Sequence, residues 1–482
     1  MFLRGALFGL GVVRRLGGGA RHYPAQGREA RAVALEASVG ASIDQALERL
    51  DSLDRAGVLL QLADDRQTTA RHRSAEYQAV AAAQRLAAGR PSPLPSALVS
   101  HQALVLDAEL KAHGAQLSPE QHQALALACS DRQLVMIEGQ AGTGKSTTLT
   151  AIARAHQADA RQIIVTSTAA LAAQHLAGEL GAAGVDADGR STAALHAAIQ
   201  AGGLLLDEHT TVIHDEAALA STREQHQLLQ AVEASGARLI AVGDPRQSQA
   251  VGAGGLWPDL EQAATANGAH VKLTQIVRAV DPCDRRDQTL FRSGQHQRAL
   301  SGYHDRGRVH LADDQAHAED AALDGAHHDR STGKRTLVIC ETSNEHLDAL
   351  NARAQAIRHQ AGDLGERSLP LTGRPYGLHA GDHVQIRQAL IHPDLGRVAN
   401  GTTAHVLDIN DDGQATLELS DGRRAVLCAE QADAASVRLA YGQHQKPNLT
   451  SSGRSPAAAS PPSSSKPSSS KTTARSQTLT GT

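Results

Sequence analysis

Two short stretches hold residue types at spacings suited to a nucleoside triphosphate. "GQAGTGKS", residues 139–146, fits G-x-x-x-x-G-K-[ST]. Gly139, Gly142 and Gly144 let a backbone close around phosphate and turn its N–H groups inward, and with Gln140, Ala141, Thr143 and Thr147 they form a phosphate-binding loop. Lys145 is placed to reach the β- and γ-phosphates, and Ser146 to ligate Mg²⁺. "VIHDEAAL", residues 212–219, ends an apolar run in two carboxylates. Asp215 suits a metal held through its water shell, and Glu216 suits a group that polarises an attacking water.

Two later stretches extend the set. In "AVGDPRQSQAVGAGG" (241–255), Gln247 can hydrogen-bond a γ-phosphate and Asp244 can contact the metal's shell. "LTQIVRA" (273–279) supplies Arg278, a cation for charge developing on the γ-phosphate. Taken singly, each has a bland reading. An Asp-Glu pair at a strand end is usually solvated, and a lone arginine after an apolar pair is usually a surface group. Their order behind the glycine-rich loop joins them.

Such a loop works only between a strand and a helix. "QLVMIEG" (133–139), "RQIIVTST" (161–168), "TVIHDE" (211–216) and "RLIAVGD" (238–244) read as buried strands. None alternates apolar with polar, as expected of a parallel sheet covered on both faces, so the core is predicted to be a doubly wound α/β sheet. Before it, "LSPEQHQALALA" announces a helix, with Ser118 as N-cap, Pro119 in the first turn and Gln121 closing a capping box. Residues 30–90 read as helices, Ser42 capping a stripe of Ile43, Ala46, Leu47 and Leu50, and 89–96 as a linker. "RTLVICETSNEHLDALNARAQAI" (335–357) opens a second strand–helix unit, and about 376–430 reads as a small β-rich insert. The predicted division is a helical region at 1–115, the nucleotide-binding domain at 116–290, a partial second domain at 291–446 and a tail at 447–482. The last 32 residues hold 11 serines, one leucine and no acid, a composition predicted to stay disordered.

Bulk properties exclude some classes. Over 482 residues the formal net charge is -4, so any nucleic-acid contact must be local. Aromatic residues make up only 2%, which leaves few groups for base stacking: Trp257, Phe291, Tyr303, Tyr376 and Tyr441 in the predicted motor region. Cys129, Cys283, Cys340 and Cys428 are widely spaced, without metal or disulfide patterning, which suits a reducing cytoplasm. The apolar run in "MFLRGALFGLGVVRRLGGGARHYP" is too short and too glycine-broken to span a membrane. It reads as an irregular leader or as a start inside a longer gene. The histidines and acids of 310–330 match no standard metal spacing and read as a solvated loop between domains.

The motif series "GQAGTGKST", "DEAA", "GDPRQSQAVGAGG" and "LTQIVRA" resembles superfamily 1 helicases. It is most similar to the helicase half of TrwC/TraI-type (MobF) conjugative relaxases, a RecD-like P-loop group, over roughly residues 60–444. "RQTTARHRSAEYQAV" (66–80) also looks like the segment preceding that helicase. The resemblance implies two RecA-like domains, ATP and Mg²⁺ in the cleft, ATP hydrolysis of the DNA helicase type and movement on single-stranded DNA. It implies that Gln121 reads adenine, that 166–176 contacts DNA without the family's usual lysine and proline, and that 397–409 belongs to the β-insert. A relaxase or the conjugation machinery would be the partner.

In the family "LAYGQH" leads into motif V. Tyr441, Gln443 and His444 are present, but the following Gln-Gly and the motif VI arginine are not. The resemblance therefore implies a motor cut short, with reduced turnover. The relaxase half is not matched either, and Tyr23 is not expected to be a nucleophile. Two other readings stand beside the motor: a nucleotide-dependent DNA-binding module that hydrolyses poorly, and a fragment without independent activity.

Overall fold

A computed structural model describes residues 67–444, except 113, 248, 249, 251–253, 280, 334, 335, 341 and 342, together with 52, 55 and 59–61. Tyr23, the stripe at 42–50 and the Ser/Pro tail at 447–482 lie outside the described residues.

Strands β1 (Leu59–Gln61) and β2 (Gln67–Thr69) pair antiparallel, where helix was expected throughout 30–90. The paired Thr68 and Thr69 are β-branched and favour extended backbone. Thr69 then caps helix α1 (Ala70–Ala88), its hydroxyl accepting from the His72 N–H at 3.1 Å. Helices α2 (Ser96–Lys111) and α3 (Pro119–Ala128) follow. The expected capping box forms at α3: Gln121 N–H donates to Ser118 Oγ (3.2 Å) and Ser118 N–H donates to Gln121 Oε1 (2.8 Å).

Strands and helices then alternate. They run β3 (Leu134–Gly139), α4 (Lys145–Ala158), β4 (Gln162–Ser167), α5 (Ala170–Ala182), β5 (Ala187–Ser191), α6 (Thr192–Gln200), β6 (Thr210–His214), α7 (Thr222–Ser235), β7 (Arg238–Gly243), α8 (Trp257–Ala266) and β8 (His270–Leu273). The sheet is parallel throughout, in the order β5-β4-β6-β7-β3-β8. Successive side chains feed opposite cores: Val135, Ile137, Ile163 and Ile213 on one face, Leu134, Met136, Ile164 and Val212 on the other. Both faces are therefore apolar, which is why these strands read as unbroken hydrophobic runs. The order also sets the C-terminal ends of β6, β7 and β3 side by side, where ligands bind in open α/β sheets.

Beyond the sheet, α9 (Pro282–Arg292) and α10 (His296–Asp305) form a hairpin. Its buried Asp287 accepts from Arg306 Nη1 (2.7 Å) and Arg286 Nε (2.8 Å), and Asp284 accepts from Arg306 (3.1 Å) and Arg308 (2.7 Å). The stretch read as a solvated loop is instead largely helix α11 (Gln315–Ser331). Asp314 caps it by accepting from the His317 N–H (2.9 Å), and Glu319 ties it to the next helix through His346 (2.7 Å) and Arg353 (3.1 Å). Local charge pairing thus supplies what the weak apolar pattern did not signal.

The second α/β unit begins with β9 (Val338–Cys340) and α12 (Asn344–Gln360). Short strands β10 (Ser368–Pro370) and β11 (Gly377–His379) lead into β12 (His383–Ile386), β13 (Leu390–His392), β14 (Gly396–Val398), β15 (Thr403–Ile409), β16 (Ala415–Leu419) and β17 (Arg424–Leu427). Helix α13 (Ala429–Ala434), β18 (Val437–Leu439) and β19 (Gly442–His444) complete the described chain. Five of these strands make an antiparallel sheet, β17-β16-β15-β12-β18, so the β-rich region runs on to Leu439. Strand β19 returns parallel to β9, and Asn351 bridges it by accepting from Gly442 N–H (2.7 Å) and donating to Gly442 O (3.3 Å). Tyr441 is buried between the two parts; its hydroxyl donates to Asp382 and accepts from Arg358 Nη1 at 2.6 Å.

Candidate functional site

The glycine-rich loop joins β3 to α4 as the motif requires. Gly144 caps α4 at φ 77°, a left-handed conformation that a side chain would strain. Gly139 also has no room for one, because a Cβ there would lie 2.7 Å from Lys145 Cγ. Lys145 is the first residue of α4, and its Nζ donates to the Gly139 carbonyl at 3.0 Å, laying the side chain across the loop. Thr143 Oγ1 braces the loop from within by donating to Gln140 O (2.9 Å). Ser146 is exposed at the start of α4, where the unpaired N–H groups and the helix dipole favour an anion.

Two neighbours support the loop from outside. Gln121 is buried, and its Nε2 donates to Gly144 O (3.2 Å) while its Oε1 is held in the capping box. Both ends of this amide are therefore engaged with the protein, and it acts on the loop rather than standing free for a base. On the other side, the N–H groups of Val277 and Arg278 both donate to Gly142 O, at 2.8 and 2.9 Å. This contact places Arg278 directly against the loop, with an exposed side chain.

Asp215 and Glu216 follow β6. Asp215 N–H donates to Thr166 O (2.8 Å), extending the ladder one residue past the strand. Burial and, after it, the adjacent Glu216 charge together push the Asp215 carboxyl up to about 6, against the opposing effects of the Glu216 backbone N–H and the Lys145 charge. Glu216 adopts φ 51°, ψ 36°, an unfavourable left-handed conformation for a residue with a side chain. Such strain re-aims a carboxylate at the strand end. The oxygen-only set of Ser146 hydroxyl and Asp215 carboxylate is the kind a hard divalent cation takes, so these residues fit Mg²⁺.

Asp244, at the end of β7, is buried and fully engaged. It accepts from Arg292 Nη1 (2.9 Å), from Gln247 Nε2 (3.3 Å) and from the Arg246 N–H (3.1 Å). Its carboxylate holds Gln247 in place instead of facing outward to a metal. Arg292, Glu138 and Lys272 were not signalled by the sequence: Arg292 lies in a polar helix with no motif around it. Glu138 accepts from Arg292 Nη2 (3.3 Å) and pairs with Lys272 Nζ (2.7 Å). Glu138, Glu261 and His270 are grouped closely enough to suggest a metal site among the described residues. Lys272 already bridges both carboxylates, at 2.7 and 2.9 Å, so the group is a charge-balanced ion-pair network.

Residues 116–314 match the family model described as an AAA domain. The chain is similar to the conjugal transfer protein TraA of Agrobacterium fabrum, with 25% identity over 305 residues, 63% of this chain and 26% of that protein. It is similar also to the conjugal transfer protein TraA of Rhizobium radiobacter, with 26% identity over 264 residues, 55% of this chain and 23% of that protein. The chain thus spans well under half the length of either relative. No described helix is long and apolar enough to cross a membrane.

Proposed function

Starting from an AAA-type P-loop domain in a chain related to conjugal transfer proteins, we propose that the chain binds Mg·ATP and couples its hydrolysis to movement along single-stranded DNA. It would serve as the motor part of a conjugative relaxase, in the cytoplasm, beside a relaxase or other conjugation machinery. The observation that carries this reading is the gathering of the phosphate loop, Asp215, Glu216 and the Asp244–Gln247 pair at the ends of adjacent strands β3, β6 and β7.

The chain's own groups divide the work. Loop N–H groups and Lys145 take the phosphates, while Gln121 and the Arg278 backbone keep the loop in shape. Ser146 and Asp215 would hold Mg²⁺, which when bound neutralises phosphate charge. Glu216 orients and polarises the attacking water. Gln247 hydrogen-bonds the γ-phosphate, and the Arg278 guanidinium meets charge that develops on it. For DNA, the start of α5 is the candidate surface: Leu171 is exposed there. The Gly401 turn of the β-rich unit comes against Leu171, since a Cβ on that glycine would lie 3.3 Å from Leu171 Cδ2.

ATP hydrolysis measured with and without single-stranded DNA tests the proposal, using wild type and Glu216→Gln. Turnover should rise several-fold with DNA, and the variant should lose on the order of 10²–10⁴-fold of it while still binding ATP. Binding of both ligands without turnover would point instead to a nucleotide-dependent DNA-binding module.

A further inference from the structure

We infer that Arg292 is a positioning residue for the γ-phosphate sensor Gln247, and that it links the α9–α10 hairpin to the nucleotide site. This rests on the nucleotide-binding reading above. Arg292 is the last residue of α9, and only 17% of its side chain is exposed. Its guanidinium spans two strand ends, donating from Nη1 to Asp244 Oδ2 (2.9 Å) and from Nη2 toward Glu138 Oε1 (3.3 Å). Glu138 immediately precedes Gly139, the first residue of the phosphate loop. Asp244 Oδ2 is the same oxygen that receives Gln247 Nε2 (3.3 Å). Arg246 closes the circuit: its N–H donates to Asp244 Oδ1 (3.1 Å) and its Nη1 to the Arg292 carbonyl (2.6 Å).

Two physical points make this a control element. The Asp244 side chain is 1% exposed, so its oxygens depend on protein donors in place of water, and Arg292 is the charged one among them. A planar guanidinium can serve two carboxylates at once, which an ammonium on a flexible stem does poorly. Arg292 also belongs to a stiff body, since Asp284 and Asp287 lock α9 to the residues after α10. A displacement of that hairpin that carries Arg292 away removes a charged donor from Asp244 Oδ2, the oxygen that orients the Gln247 amide. Conversely, a γ-phosphate that engages Gln247 biases the Asp244–Arg292 contact and so the hairpin.

The test compares calorimetric affinities for ATPγS and ADP, with Mg²⁺, in wild type, Gln247→Ala, Arg292→Ala, Arg292→Lys and the Gln247→Ala/Arg292→Ala double variant. Gln247→Ala should lower the preference for ATPγS about tenfold, the worth of one hydrogen bond to a charged group. Arg292→Ala should lower it by a similar factor with ADP affinity nearly unchanged. The double variant should fall no lower than either single one, because the arginine acts through the glutamine. Arg292→Lys, which keeps the buried charge and protects folding, should fall between Arg292→Ala and wild type. Multiplicative losses in the double variant, or an unchanged ATPγS preference in both arginine variants, would overturn the inference alone. A wild type that binds neither nucleotide would overturn the nucleotide-binding reading and this inference with it.

Discussion

Gln121 and Gly144 meet across the base of the phosphate loop. The glutamine amide donates to the glycine carbonyl at 3.2 Å, and a Cβ on that glycine would lie only 2.6 Å from the same nitrogen. Helix α3 and the loop are thus fitted to each other through one side chain, which also caps α3.

Gly144→Ala should therefore damage both partners. A side chain at φ 77° costs roughly 1–2 kcal/mol in backbone strain, and it displaces the Gln121 amide besides. Melting temperature and ATP affinity should fall together. Gly178→Ala is the control: this glycine lies within α5 with nothing near its Cβ direction. That change should stabilise by about 0.5–1 kcal/mol without touching nucleotide binding.

Glu216 should show a conflict between stability and activity. Its left-handed backbone is one that glycine adopts freely. Glu216→Gly is expected to raise stability by about 1 kcal/mol and to abolish turnover. Glu216→Gln keeps the strain, so its melting temperature should stay near wild type while hydrolysis is lost. A Glu216→Gly protein less stable than Glu216→Gln in chemical denaturation would refute the strain assignment.

His156 links acid stability to a buried hydrogen-bond pair. Its ring is fully buried, with Nδ1 2.8 Å from Thr211 Oγ1 and Nε2 3.1 Å from the Ala128 carbonyl. The carbonyl can only accept, so Nε2 carries the proton and Nδ1 accepts from the threonine. Burial, aided by the Arg238 and Arg161 charges, lowers the ring's pKa to about 3, far below its ordinary 6.5. Below pH 6.5 the unfolded chain therefore takes up a proton that the folded chain refuses. The stability this neutral ring provides is complete above about 6.5 and is lost progressively as pH falls toward about 3. By pH 5 the loss is about 2 kcal/mol, at ~1.4 kcal/mol per pH unit. In urea titrations, the stability advantage of wild type over His156→Gln should shrink by that amount between pH 7 and pH 5. An advantage independent of pH would contradict the assignment.

Much of the fold could be read from the chain because parallel, doubly covered strands announce themselves as apolar runs. Val135, Ile164 and Val212 are examples. Strand β5, Ala-Asp-Gly-Arg-Ser, was not legible, since an edge strand held mainly by its backbone partner β4 needs no apolar run. The site was legible where short spacing encodes chemistry, as from Gly139 to Ser146. It was not legible where Arg292 reaches Asp244 across 48 residues of sequence, because the pairing depends on how α9 docks and leaves no local pattern. Tyr441 shows the opposite error. As one of few aromatics it stands in the sequence as a candidate for base stacking, whereas its ring is buried and its hydroxyl bonds to Asp382 and Arg358.

The most direct test of the central claim, that residues 139–146 with Asp215 form a nucleotide site, is calorimetric titration of Mg·ATP into wild type and Lys145→Ala. Lys145 Nζ lies across the loop, bonded to Gly139 O at 3.0 Å, so its removal takes away the loop's principal side-chain cation without cutting into the core. Wild type should bind one ATP per chain, and Lys145→Ala should bind at least about tenfold more weakly, a loss of ~1.4 kcal/mol or more, with an unchanged melting temperature. Equal affinities in the two proteins, or no binding by a folded wild type, would contradict it.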